Sequence, residues 1–206
     1  MSKALYASLV AIALLASAIA TPMIVYEHPV SGDLAKTCIR DPEQLRALLI
    51  EYNSTIMDEF RTLRDATRPV IDKALNSSNP FAAINDAVPR LAQKYWVDVA
   101  RLVLGVEKAY YAAQRYYTCT NNAEEAARIL AEVALNKPAK DIPETTIAQV
   151  IQSIKTMNAS EALATIKLFE KALRDNDPTP IKSYVENTIN YILLQELRAA
   201  LLGGTG

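Results

Sequence analysis

The sequence predicts an all-α protein, an antiparallel bundle of six to eight helices that follows an N-terminal signal or anchor helix. Three observations predict this fold. Glycine is scarce, with 5 in 206 residues, so tight hairpin turns have little support. Apolar residues recur at helical spacing, and no stretch shows the alternation of a strand. Asp, Asn or Thr near a Pro repeatedly marks a helix start.

Residues 1–26 are predicted to be a signal peptide or a membrane anchor. Lys3 is followed by 23 residues without a charge, and the small residues Ala18 and Ala20 provide a cleavage site. The run is also long enough for a transmembrane helix, which needs about 20 apolar residues. Lys3-Ala4 before this run, in addition, resembles the processing site of archaeal pilin-like proteins. All three interpretations place the bulk of the chain outside the cytoplasm, because positive charge stays inside.

After an irregular tether over 27–40, the first helix is predicted to begin at Asp41-Pro42, with Asp as its cap and Pro in the first helical position. Pro69 is expected to interrupt this helix, because proline lacks the N–H that an interior turn needs. A short helix from Pro80 to about Val88 follows.

The longest predicted helix runs from Pro89 to about Tyr117. Apolar residues form two rows along it, beside a polar row that includes Asp98 and Arg101, so we expect other helices to pack around it. The inner row is Leu91, Tyr95, Val99, Leu102, Val106, Tyr110, Ala113 and Tyr117, and the second row is Trp96, Val103 and Tyr111.

Four further helices complete the predicted bundle. Their start signals lie at Asn121 or Asn122, at 141–144, at Asn158 or Ser160, and at 179–180, and Gly203 ends the last helix. The loops are short, which favours antiparallel neighbours. Residues 41–202 are therefore predicted to be a single domain, with a flexible tail over 203–206.

Cys38 and Cys119 are predicted to form a disulfide. An even pair in an exported chain is usually bridged, and this bridge would join the tether to the end of the long helix. Two buried free thiols are the alternative. Two distant cysteines with a single histidine do not make a zinc site, so no metal is expected.

Three sequons, at Asn53, Asn76 and Asn158, are candidates for N-linked glycosylation. Their number is modestly higher than chance would give, and it favours a glycosylated surface.

Signals for catalysis, cofactors and nucleic acid are weak. His28, the one histidine, lies in the irregular tether, and no glycine-rich phosphate loop is present, so we expect no cofactor and no enzyme. A net charge of −1 gives no field that attracts nucleic acid. A hydrolase that uses two carboxylates stays an alternative, although most of the acidic residues are expected on solvated faces: Asp58, Glu59, Glu107, Glu170 and Glu186.

The densest unusual feature is a group of tyrosines with an arginine, at Tyr110, Tyr111, Arg115, Tyr116 and Tyr117. Packing in the core and along its flank is the plain interpretation of this group. A tyrosine-lined ligand pocket and an interaction patch are the alternatives, because Tyr combines apolar area with a hydroxyl. The patch requires that Tyr111 or Tyr116 stays exposed, and self-association would then use it.

Together these features favour an exported, non-catalytic structural or interaction domain, at the cell surface or in a surface assembly. It would be secreted, or anchored in the membrane by its N-terminal segment with the domain outside. A protein partner or self-association is compatible with this role. An extracytoplasmic ligand-binding bundle is the main alternative.

Overall fold

The computed structural model describes residues 38–203, and these residues form a helical bundle. Six α-helices and two short 3₁₀ turns, at Ala139–Asp141 and Thr179–Ile181, make up this part of the chain, and it contains no strand. The helices are α1 Pro42–Leu75, α2 Pro80–Thr120, α3 Ala123–Leu135, α4 Glu144–Thr156, α5 Ala159–Asp175 and α6 Lys182–Gly203. The all-α prediction is confirmed. The signal or anchor, residues 27–37 of the tether and residues 204–206 of the tail lie outside the described residues, and the antiparallel order stays a prediction.

Three of the predicted helix starts are formed by side-chain caps. The Asp41 carboxylate accepts the backbone N–H of Glu43 at 3.0 Å, and the Asn122 side chain accepts that of Glu125 at 3.1 Å. Asn158 accepts from the backbone N–H of Ser160 at 3.1 Å. Each cap gives a partner to an N–H that the first turn of a helix leaves unpaired. The predicted start at 141–144 has no side-chain cap. Asp141 ends a 3₁₀ turn instead, and α4 begins at Glu144.

Asparagine occupies the left-handed positions at the helix ends, where most proteins have glycine. Asn121, Asn136 and Asn176 have φ of 56°, 49° and 52° and end α2, α3 and α5 in the left-handed region. After α3 the N–H groups of Asn136 and Lys137 reach back to the carbonyls of Val133 and Glu132, as in a Schellman motif. Asparagine tolerates this conformation better than other non-glycine residues. The chain therefore turns tightly with few glycines.

Pro69 and Pro89 lie inside helices, which corrects the predicted breaks at these residues. Both prolines are exposed, so water can bond to the carbonyl that each leaves without an N–H partner. The helical geometry of α2 is interrupted instead at Tyr95, with φ −115° and ψ 23°. The predicted short helix and long helix are thus one element with a kink at Tyr95.

The described chain divides into two compact units. Unit 1 combines residues 38–54 with 105–166, and unit 2 combines residues 55–104 with 167–203. As their bounds show, α1, α2 and α5 each contribute residues to both units. The single domain predicted over 41–202 stays a prediction.

Unit 1 has its core around residues 105–113 of α2. The α3 and α4 helices pack against each other in this unit. Arg46 of α1 donates to Glu132 of α3 at 2.7 Å, and the other oxygen of Glu132 accepts the N–H of Ala139 at 2.9 Å. Fully buried large side chains in this unit include Leu45, Leu49, Ile147, Ile154 and Ile166.

Unit 2 contains an aromatic contact between Phe169 of α5 and Tyr184 of α6. The rings of Phe169 and Tyr184 meet edge to face, with centroids 5.6 Å apart and planes at 76°. Phe169 itself is fully buried. Other fully buried side chains in this unit are Leu63, Ile84, Ile181, Ile189, Leu193 and Leu197.

Candidate functional site

The tyrosine cluster lies in the core of unit 1. Tyr110, Tyr111 and Tyr116 are 6%, 5% and 2% exposed, whereas Arg115 and Tyr117 are half-buried. The interaction-patch alternative required Tyr111 or Tyr116 to be exposed, and the burial of both contradicts that requirement. Between residues 105 and 113 every side of α2 is buried or nearly so, and the helix has no solvent face here. An interaction role for residues 110–117 stays a prediction. Tyr111 and Tyr116, whose exposure motivated it, are buried.

The hydroxyl of Tyr116 is part of the cap of α3. It donates to a carboxylate oxygen of Glu125 at 2.5 Å, and the side-chain amide of Asn122 donates to the same oxygen at 2.9 Å. Burial, the hydrogen bond to Glu125 and the negative charges of Glu125 and Asp41 raise the pKa of Tyr116 to about 12. The phenol therefore stays neutral at physiological pH and acts as a hydrogen-bond donor, not as an acid or a base.

The predicted cysteine pair lies beside this cap. Cys38 and Cys119 are joined by a disulfide, with their Cα atoms 5.8 Å apart and 81 positions apart in sequence. Cys38 precedes α1 and is exposed, whereas Cys119 lies in the last turn of α2 and is half-buried. The bridge therefore ties the residues just before α1 to the carboxyl end of α2.

Glu107 is a buried carboxyl in unit 1, at 7% exposure. Burial alone raises its pKa from 4.5 to about 7. Its position corrects the expectation of a solvated face, and the signal was present, since its neighbours one turn away on α2 are Val103, Tyr110 and Tyr111. The side-chain oxygen of Gln114, two turns further, is also buried and has no hydrogen-bond partner among residues 38–203.

A carboxyl pair lies in unit 2, near the kink of α2. Glu59 of α1 shares a hydrogen bond with Asp98, and Arg101 donates to Glu59 at 3.5 Å. Burial is the largest cause that raises the pKa of Glu59, followed by the charge of Asp98, while Arg101 opposes the shift. Glycosidase carboxylates stand about 5–10 Å apart, so this pair does not fit sugar cleavage.

Two of the remaining acidic candidates, Asp58 and Glu186, form ion pairs near the surface. Asp58 and Arg61 are 3.4 Å apart, and Glu186 and Lys182 are 3.9 Å apart. Across the described part of the chain, no three His, Cys, Asp or Glu side chains gather in a way that could hold a metal ion. Within residues 38–203, no helix combines the length and the apolar character needed to cross a membrane.

The site contacts that the sequence does not predict join residues from different elements. Asp98 was assigned to a polar row of α2, and only the folded chain brings it to Glu59. Glu125 follows Asn122 at the spacing of a capping box, which is a readable signal, but its bond to Tyr116 is not.

No family model, curated protein or solved structure matches the chain.

Proposed function

We propose that the protein is an exported, non-catalytic structural or interaction domain at the cell surface or in a surface assembly. The observation that carries the proposal is the Cys38–Cys119 disulfide. Structural disulfides persist in oxidising compartments and are rare in reducing ones. The uncharged run after Lys3 supplies a route of export to such a compartment.

The hydrogen bonds among polar side chains in unit 1 support a structural role over a ligand-binding one. The Tyr116 hydroxyl and the Asn122 amide both donate to Glu125, so these groups already serve helix capping. Tyr110 and Tyr111 are buried in the same core. A pocket lined by Tyr110 and Tyr117 would need a cavity between packed side chains, whereas the structural role needs none.

The membrane relation of the protein is part of the proposal. The N-terminal segment is either removed on export or retained as an anchor with the domain outside, and the exposed surface carries glycans. Partners are other surface proteins or further copies of this chain, and the balanced charge does not favour nucleic acid.

Labelling of intact cells tests the export. Impermeant lysine-reactive biotin should label the protein in intact cells, and alkylation without reductant should find no free thiol. Reduction before alkylation should then expose two. A cytoplasmic protein and a lysed sample are the controls. Labelling only after lysis, together with two alkylated thiols, would overturn the proposal.

Cross-linking on intact cells tests the structural role. A domain that belongs to an assembly should give lysine cross-links to neighbouring surface proteins or between copies of itself. An exported protein that gives no cross-link at native abundance, and stays monomeric when concentrated, would contradict the assembly part of the proposal and leave the export part intact.

A further inference from the structure

The three sequons of the chain differ in what their asparagine side chains do in the folded protein. Asn53 is half-buried within α1, and its side-chain nitrogen donates to the carbonyl of Val133 in α3 at 3.2 Å. That nitrogen is the atom to which an N-linked sugar attaches. A glycan on Asn53 would replace one of the two hydrogens on this nitrogen and place a sugar where α3 packs, so a molecule modified there does not complete unit 1.

Asn158 offers the opposite arrangement. It is exposed in the connection between α4 and α5, and its side-chain oxygen accepts the N–H groups of Ser160 and Glu161 at 3.1 and 3.4 Å. Its side-chain nitrogen makes no hydrogen bond with any of the described residues. A sugar on this nitrogen leaves the capping oxygen in place, so the helix start of α5 is kept.

Asn76 is accessible for a different reason. The whole sequon Asn76-Ser77-Ser78 lies in the turn after α1, and both Asn76 and Ser78 are exposed. The nitrogen of Asn76 donates to the carbonyl of Asp72 at 2.8 Å, but this bond is at the surface, where water replaces it at little cost. A sugar here meets only solvent.

We propose that Asn76 and Asn158 carry N-linked glycans and that Asn53 does not. The inference rests on the proposed export, because the transfer occurs outside the cytoplasm. The donor is an oligosaccharide linked to a lipid phosphate, and a membrane transferase brings it to the asparagine. A bond forms between the amide nitrogen and the anomeric carbon, and the bond from that carbon to the phosphate oxygen breaks. The lipid phosphate leaves with the electron pair, the amide loses one proton to a base, and nothing is oxidised or reduced.

The two sites are distributed evenly, since Asn158 belongs to unit 1 and Asn76 to unit 2. Each unit therefore presents one glycan on its surface. Because Asn76 follows α1 and Asn158 precedes α5, both glycans attach at connections between helices and leave the helix faces free for contacts.

The test uses the full-length protein and three matched variants, each isolated from the cells that make it. The substitutions Ser78→Ala, Ser160→Ala and Thr55→Ala each remove the hydroxyl that a sequon requires two residues after its asparagine. All three side chains are exposed, and no asparagine or capping bond changes. Peptide mapping by mass spectrometry reads the occupancy of each site, and surface labelling of the same cells reads export.

The expected result is full loss of the glycan at Asn76 in the first variant, full loss at Asn158 in the second, and no change in the third. A glycan on Asn53 in folded protein would overturn the inference, and an unmodified Asn76 or Asn158 would overturn it at that residue. Protein that is labelled on intact cells but carries no glycan refutes the glycosylation and leaves the proposed export intact. Protein that is unmodified and inaccessible to the label refutes both.

Discussion

Unit 1 and unit 2 keep an acidic side chain out of water in two different ways. In unit 1, Glu107 is 7% exposed, and burial alone brings its pKa to about 7. In unit 2 the Glu59 side chain is 13% exposed and faces Asp98 and Arg101. The comparison teaches that burial raises the pKa of both carboxyls, whereas charged neighbours change the shift only for Glu59.

The two units also differ in how they are cross-linked. Unit 1 contains both cysteines and the 2.7 Å ion pair between Arg46 and Glu132. The ion pair between Arg64 and Glu196 in unit 2 is 4.0 Å long, with Arg64 about half exposed. Exposed pairs of this kind contribute about 0–1 kcal/mol. We therefore expect the covalent bridge to add to the stability that the apolar core gives unit 1, whereas unit 2 contains no cysteine and depends mainly on its apolar core.

The largest expected effect comes from opening the core of unit 1. Replacing Tyr111 and Tyr116 together by Ser should unfold unit 1, because each truncation of a buried aromatic costs about 3–5 kcal/mol. Circular dichroism and hydrogen exchange report the loss. Phe81→Ser is the matched control in unit 2, since Phe81 is 61% exposed and its loss should change the free energy of unfolding by less than about 0.5 kcal/mol. A double variant that stays folded would contradict the burial of these tyrosines.

Removal of the disulfide is expected to come next in size. Replacing Cys38 and Cys119 by Ser opens a loop that spans 81 positions, which lowers the free energy of unfolding by about 4 kcal/mol on the chain-entropy model. Urea unfolding measures the loss. Reductant should destabilise the wild-type protein by the same amount and leave the double variant unchanged.

Hydrogen exchange makes the disulfide experiment a test of the comparison. In the double cysteine variant, the protection of backbone amides from hydrogen exchange should fall first at the start of α1 and at the end of α2, where the bridge is attached. A larger loss over 167–203 would show that the bridge does not act mainly within unit 1.

Glu107→Gln should change the pH dependence of stability. The folded-state pKa of Glu107 is raised, so its stabilising contribution is present below its ordinary pKa of 4.5 and is lost as pH rises through about 7. Above that pH the variant should be more stable than the wild type by about 3 kcal/mol, because Gln has no charge to bury. Urea unfolding across a pH series measures it. Equal stability of the two proteins at all pH values would contradict the burial of Glu107.

Glu59→Gln should give the same sign and the smallest effect. The pKa of Glu59 is also raised, so its contribution is present below the ordinary glutamate pKa and is lost as pH rises through the raised value. Arg101 offsets part of this loss. Asp98→Asn is the sharper variant, because it leaves Glu59 beside Arg101 alone and should lower the pKa of Glu59. Carbon-detected NMR titration measures that pKa. An unchanged pKa would contradict the contact between Glu59 and Asp98.

Much of the fold can be predicted from local sequence patterns. The caps at Asp41, Asn122 and Asn158 lie where the sequence places them, because capping depends on residues within one turn. The all-α class follows from the same short-range signals.

The features that the sequence does not predict depend on tertiary packing. Pro89 normally marks a helix start, yet it lies within α2 and the interruption falls at Tyr95. The burial of Glu107 and Tyr116 depends on which elements surround α2, and the pairing of Glu59 with Asp98 joins two helices. Periodicity along one helix does not report which neighbours meet each face.

The sequence separation of the disulfide has a consequence for the order in which the chain is made. Cys38 is synthesised 81 positions before Cys119. At about 5–20 residues per second, this interval is roughly 4–16 s. Residues 55–104 of unit 2 emerge within it and end up inside the closed loop. The Cys38 thiol is therefore without its disulfide partner for this interval.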